Sequence, residues 1–83
     1  MKIVHELKVH IEYFNHLKSG IKDFEVRRND RDYKLGDELL LKEYNPVTQS
    51  LTGNFIHRLV VYILEGGQFG VQKGYIVMGL KKI

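Results

Sequence analysis

The sequence predicts an α+β fold: about five short, mostly antiparallel strands in one curled sheet, with a single helix after the first strand. Three observations predict it. Apolar residues alternate with period two through several short segments. That period gives way to a helical one only once, just after residue 10. Short polar or glycine turns separate the segments, with no long linker between them.

The elements follow in order. Ile3, His5, Leu7 and Val9 alternate with Lys2, Val4, Glu6, Lys8 and His10, which predicts a first strand over the first ten residues. In the next segment Ile11, Phe14, Leu17 and Ile21 recur at helical spacing, so a helix of two to three turns follows. Gly20 stands where a left-handed residue closes a helix, and Lys18 suits the negative end of the helix dipole. Residues 22–28 alternate again, with Phe24 and Val26 expected toward the core and Glu25 and Arg27 opposite. Asn29–Asp32 is a polar turn, and Leu35-Gly36-Asp37 is a second, tighter one.

A strand is expected from Glu38 to Tyr44. A long hairpin loop should then run from Asn45-Pro46 to Thr52-Gly53. Phe55–Leu64 is dense in β-branched and aromatic residues and largely apolar on both faces, which predicts a central or barrel strand. Glu65-Gly66-Gly67 turns the chain, Phe69–Gly74 is a loop, and Tyr75–Leu80 is the last strand. Five strands and one helix cannot readily leave two long edges exposed. Curling toward a small barrel, with the helix plugging one end, removes that exposure; a flat open sheet is the alternative.

Composition sets the outer limits. Eighty-three residues make one domain, spanning 1–83. At 43% hydrophobic and 28% charged, the chain is composed like a folded protein and unlike a disordered tail. Without cysteine there are no disulfides, thiolate nucleophiles or cysteine–zinc sites. A secreted domain this small would ordinarily need disulfides, so a cytoplasmic location is expected. His5, Glu6 and Lys8 interrupt the N-terminal segment as a signal peptide, and no apolar run is long enough for a membrane span. A net charge of +3 tilts the expected partner toward a polyanion. No cofactor is implied. Asp30 and Asp32 read as turn formers, not metal ligands, and the four histidines have no ligand spacing.

The chemistry concentrates after the helix. Glu25 and Arg27 share a strand face, roughly 7 Å apart, and Lys22 stands at the strand mouth. An arginine fork and a carboxylate acceptor on rigid backbone suit a planar polar group or a phosphate. The same residues also suit a plain ion pair of Glu25 with Arg27 or Arg28, with Lys22 solvated. Both readings stand at this level. Arg28, Arg31 and Lys34 form a basic rim. Tyr33 beside it, and Phe69 in the glycine loop, are placed either to stack on a base or simply to pack. Phe14, Phe24, Phe55 and Tyr62 are the expected core aromatics, and His5 is expected in the core or at the cleft.

Gly20-x-Lys22-x-x-Glu25-x-Arg27, after an amphipathic helix and before Gly36-Asp37, resembles the signature of ASCH domains in the PUA-like superfamily. His5–Lys8, Tyr13-Phe14, Phe24–Asp32, Gly36-Asp37 and Gly74-Tyr75 resemble more narrowly a small bacterial and phage family of unknown function within it. The resemblance implies a PUA-like small barrel with the helix beside a cleft, and RNA or a nucleotide as ligand. Lys22, Glu25, Arg27, Arg28, Arg31, Tyr33 and Lys34 would form that binding surface. Some relatives in the superfamily are amidohydrolases acting on N4-acetylcytidine. Their catalytic lysine falls on Lys22, Glu25 stands in place of their threonine, and Glu65 is the positional candidate for their distal glutamate. Lys22 and Glu25 would then be the catalytic pair. A protein-interaction module is the third reading.

Overall fold

The computed structural model describes residues 3–83. Lys2, expected to alternate outward on the first strand, lies outside the described residues. The order is β1 (Val4–His10), α1 (Ile11–Ser19), β2 (Phe24–Arg28), β3 (Glu38–Asn45), β4 (Ser50–Glu65) and β5 (Tyr75–Lys82). The architecture is α+β, with one mixed sheet in the order β1-β3-β4-β5-β2. β1 runs parallel to β3; the other three pairings are antiparallel. The doubly apolar β4 takes the central place.

The sheet curls into a half-barrel. β1 and β2 are its two edges, and they face each other across an open seam. Among the described residues no strand ladder joins them. Arginine side chains from β2 and the turn after it reach across instead: Arg27 Nη2 donates to the Lys8 carbonyl at 2.6 Å, and Arg31 Nη1 to the Glu6 carbonyl at 2.8 Å. Edge carbonyls left open would invite pairing with another chain, and these guanidiniums occupy two of them.

The concave face holds the core. Leu7 and Val9 of β1, Leu39 and Leu41 of β3, Val60 of β4, and Ile76, Met78 and Leu80 of β5 form one cluster with Phe14 and Leu17 of α1. Gly20 ends the helix at φ 89° and returns its amide to the Leu17 carbonyl. Arg58, buried on β4, donates to the Leu17 and Lys18 carbonyls at 2.8 and 3.2 Å. A cation thus satisfies carbonyls that a helix C-terminus leaves open.

Three expectations are corrected. Phe24 and Val26 lie outward, 43% and 51% exposed, while Glu25 between them is buried. The register decides this: Glu25 pairs with Met78, whose side chain belongs to the concave face. Phe55 and Tyr62 also sit on the convex side and are exposed, so of the four expected core aromatics only Phe14 is buried; Tyr33 is the other aromatic in the core. The long hairpin loop is a tight turn, because β3 and β4 pair as far as Asn45 and Ser50. Thr52 and Gly53 belong to β4, beside a register shift opposite Glu43. There Gly53 takes φ 100°, and the Glu43 carboxylate accepts from Thr52 Oγ1 at 2.7 Å and Asn54 Nδ2 at 3.0 Å. Those two hydrogen bonds hold the Glu43 carboxyl below its ordinary range.

Candidate functional site

The seam holds the candidate site. The helix end sets Lys22: its amide returns to the His16 carbonyl at 3.0 Å, and the next residue, Asp23, accepts from the Leu80 amide at 2.8 Å. The chain is therefore tied to α1 and to β5 on either side of the lysine. Alternation on β2 then aims Glu25 and Arg27 to the concave side.

The three side chains meet. Glu25 Oε1 accepts from Lys22 Nζ at 3.1 Å, and Glu25 Oε2 accepts from Arg27 Nε at 2.8 Å. The carboxylate is buried, whereas both cations are partly open. Lys22 Nζ also lies 5.3 Å from the Tyr13 ring centroid and 5.1 Å from that of Phe24. Beside this triad opens a cleft of about 310 Å³, lined by Lys8, Val9, His10, Tyr13, Lys22, Glu25, Val26 and Arg27. Ion pairing and convergence on a cleft are thus both present. The buried carboxylate organises two cations, and the cations border the open space.

This arrangement has definite chemistry. A ligand edge entering the cleft meets N–H donors from Lys22 and Arg27 next to the Glu25 acceptor. Tyr13, on the first turn of α1, offers a half-exposed ring on the cleft wall. Tyr13, Lys8 and His10 line the cleft although they are not among the site residues expected from the sequence. Tyr13 precedes core residue Phe14 in the chain, and its position on the cleft wall depends on how α1 docks.

The rest of the expected surface divides. Arg28 is exposed, with its guanidinium 5.9 Å from the Tyr75 ring. Lys34 is exposed and pairs with Asp32 at 3.1 Å, and Asp32 sits in the left-handed region at φ 51°. Tyr33 is 4% exposed, so its ring faces are closed to a stacking base. Its ring meets that of His5 edge-on at 4.7 Å. His5 Nε2 lies 2.8 Å from Asp37 Oδ2, and since the carboxylate only accepts, the proton sits on Nε2. The same Asp37 oxygen takes the Lys34 amide at 3.0 Å. Burial pushes the Asp37 carboxyl up, but the bonds from His5 and Lys34 outweigh it and leave the group below its ordinary value. His5 is thus a core residue bracing the Tyr33 turn, not a cleft residue. Glu65 ends β4, exposed, and does not line the cleft. Phe69 is 84% exposed at φ 52° in the loop before β5. No described helix is long and apolar enough to cross a membrane.

Comparison with known proteins supplies a family and no activity. A 44-residue stretch is 43% identical to the "Uncharacterized 12.9 kDa protein in GpA 3'region" of Escherichia phage P2. That stretch covers 53% of this chain and 40% of the phage protein, so the chain matches less than half of that relative's length. The family model described as "Domain of unknown function (DUF3850)" matches residues 4–80, nearly all of the half-barrel. The chain belongs to the DUF3850 family.

Proposed function

We propose that the seam cleft binds a nucleotide or single-stranded nucleic acid, with Lys22, Glu25 and Arg27 meeting the polar edge of one base. One observation carries this reading: a buried carboxylate fixed between two partly exposed cations, all three lining one open cleft of about 310 Å³. Glu25 accepts from an exocyclic amino group, Lys22 and Arg27 donate to a carbonyl or ring nitrogen, and Tyr13 packs on the base. Arg28, Arg31 and Lys34 are the cations available to phosphates outside the cleft. The half-barrel with its helix beside the cleft is in keeping with the PUA-like resemblance, which supports the same ligand class. Hydrolysis of an acylated base is not favoured by any observation, since Glu65 is not among the residues that line the cleft with Lys22 and Glu25.

The test is a fluorescence titration of short labelled RNA and of free mononucleotides, at several salt concentrations, with Lys22→Ala alongside. Affinity for RNA should fall with salt, with a logarithmic slope of about −0.7 per phosphate contacted. Lys22→Ala should weaken both ligands by about tenfold, the loss of one charge-assisted hydrogen bond. Absence of binding, or binding indifferent to salt and to Lys22, would sink the proposal.

A further inference from the structure

Next along the seam from the Lys22–Glu25 cleft lies a smaller one of about 150 Å³, lined by Leu7, Arg27, Arg28, Asp30, Arg31 and Tyr33. Arg27 borders both. Three guanidiniums and one carboxylate give this second cleft an excess of positive charge. Among the described residues, no carboxylate forms an ion pair with Arg28 or Arg31. Arg31 spends one N–H on the Glu6 carbonyl, and Arg27 spends two on Glu25 and the Lys8 carbonyl. Each guanidinium carries five N–H donors, so donors remain on all three.

Tyr33 supplies the independent observation. Tyr33 is buried, 4% exposed. Yet its hydroxyl makes no hydrogen bond with any described residue. No side-chain oxygen among the described residues is sealed off without a partner, so this hydroxyl reaches solvent, and Tyr33 is one of the residues lining the small cleft. Burial pushes the phenol pKa up, and the charges of Arg31 and Arg27 only partly oppose that; the group stays a donor at neutral pH. Behind the ring, the His5–Asp37 pair and the Lys34 amide bond hold it in place.

We infer that this second cleft is an anion subsite that seats one phosphate group, with the Tyr33 hydroxyl and the Arg27, Arg28 and Arg31 guanidiniums as donors. A phosphate presents acceptors in several directions, and the donors here come from the turn, the strand and the buried ring between them. Asp30 is the one carboxylate on the wall, and it limits the site to an anion with enough acceptors to outweigh it. The inference deepens the nucleotide reading and rests on it for the phosphate's source. The phosphate is either the terminal monoester of a mononucleotide or a diester of a nucleic-acid chain.

The experiment titrates inorganic phosphate into the wild-type protein and Tyr33→Phe, followed by amide NMR shifts, with chloride at matched ionic strength as control. Saturable shifts around Arg28, Arg31 and Tyr33 are expected, with Tyr33→Phe binding about tenfold more weakly. Arg28→Gln, at an exposed position that cannot disturb the core, should weaken phosphate as well. Shifts no different from chloride, or equal affinity in wild type and Tyr33→Phe, would overturn the subsite. A nucleoside without phosphate separates the two proposals: Lys22→Ala should weaken it and Tyr33→Phe should not. Nucleoside binding that survives Lys22→Ala counts against the base site alone. Two further ligands distinguish the sources, a mononucleotide with a terminal monoester and a dinucleotide with only its internal diester; the one that loses affinity in Tyr33→Phe identifies which phosphate enters. If neither loses affinity, the subsite is refuted.

Discussion

The two sides of the half-barrel are closed by different means. From β1 through β3 and β4 to β5 and β2, neighbouring strands are joined by backbone ladders. Across the seam, the same two edge strands are joined by Arg27 and Arg31 reaching for carbonyls. A ladder hydrogen bond is fixed by backbone register. A side-chain bond to a carbonyl can be remade with another acceptor at little change in fold. The difference teaches where a ligand can compete: the seam is the part of the barrel whose closing groups are also the groups a ligand would use.

Three changes break or sharpen this contrast. The largest effect should come from the laddered side. Leu41, fully buried on β3 under the helix, should cost about 2–5 kcal/mol when changed to Ala, from lost transfer energy and the cavity left behind. Urea unfolding measures it, and a loss below about 1 kcal/mol would mean the ladder side is no more committed than the seam. Glu25→Ala comes second. It leaves two partly buried cations without their carboxylate, an expected loss of about 1–3 kcal/mol. Here the sharper readout is local: amides of β1 and β2 should exchange faster while those of β3 and β4 keep their protection. Uniform loss of protection would show that the seam and the ladders unfold as one unit.

The smallest effect concerns pH. Asp37 has a folded pKa below its ordinary value of 3.8. A depressed carboxyl contributes stability that is present above the unfolded pKa and is lost as pH falls through the folded one. The urea midpoint should therefore drop below about pH 3.8. Glu43, depressed by Thr52 and Asn54, adds to the same acid limb from the laddered side. Asp37→Asn should flatten the part that belongs to the Tyr33 turn and leave the Glu43 part. An acid limb unchanged in Asp37→Asn would mean the His5–Asp37 pair does not brace that turn.

Much of this molecule was legible in one dimension. The period-two runs, the single helical segment ending at Gly20, and the turn at Gly36-Asp37 all lie where the structure has them. So does the placing of Glu25 and Arg27 on one strand face with Lys22 at its mouth. These are local properties: side-chain period, a left-handed glycine, and spacing along a strand. What alternation cannot say is which of its two faces turns inward. On β2 it is the charged face, because pairing with β5 aligns Glu25 with Met78. The apolar Phe24 and Val26 are thereby turned to the convex side.

The same limit explains why Tyr33 stayed open between stacking and packing and why the hairpin loop was expected to be longer. The neighbours of Tyr33, the basic turn and Lys34, leave both readings open; packing is decided by the core cluster it joins and by its ring contact with His5, 28 positions earlier in the chain. Gly53 looks like a loop end, but the partner strand and the Glu43 carboxylate make it a bulge. The sequence by itself determined the elements, their order and the residue types at the seam, because those follow from local period and spacing. The tertiary structure alone decided that β1 and β2 face each other without pairing, that Tyr13 meets Lys22 across the cleft, and that the buried Tyr33 lines a small cleft together with three arginines. Those depend on sheet curvature and on long-range register, which no single segment of the chain encodes.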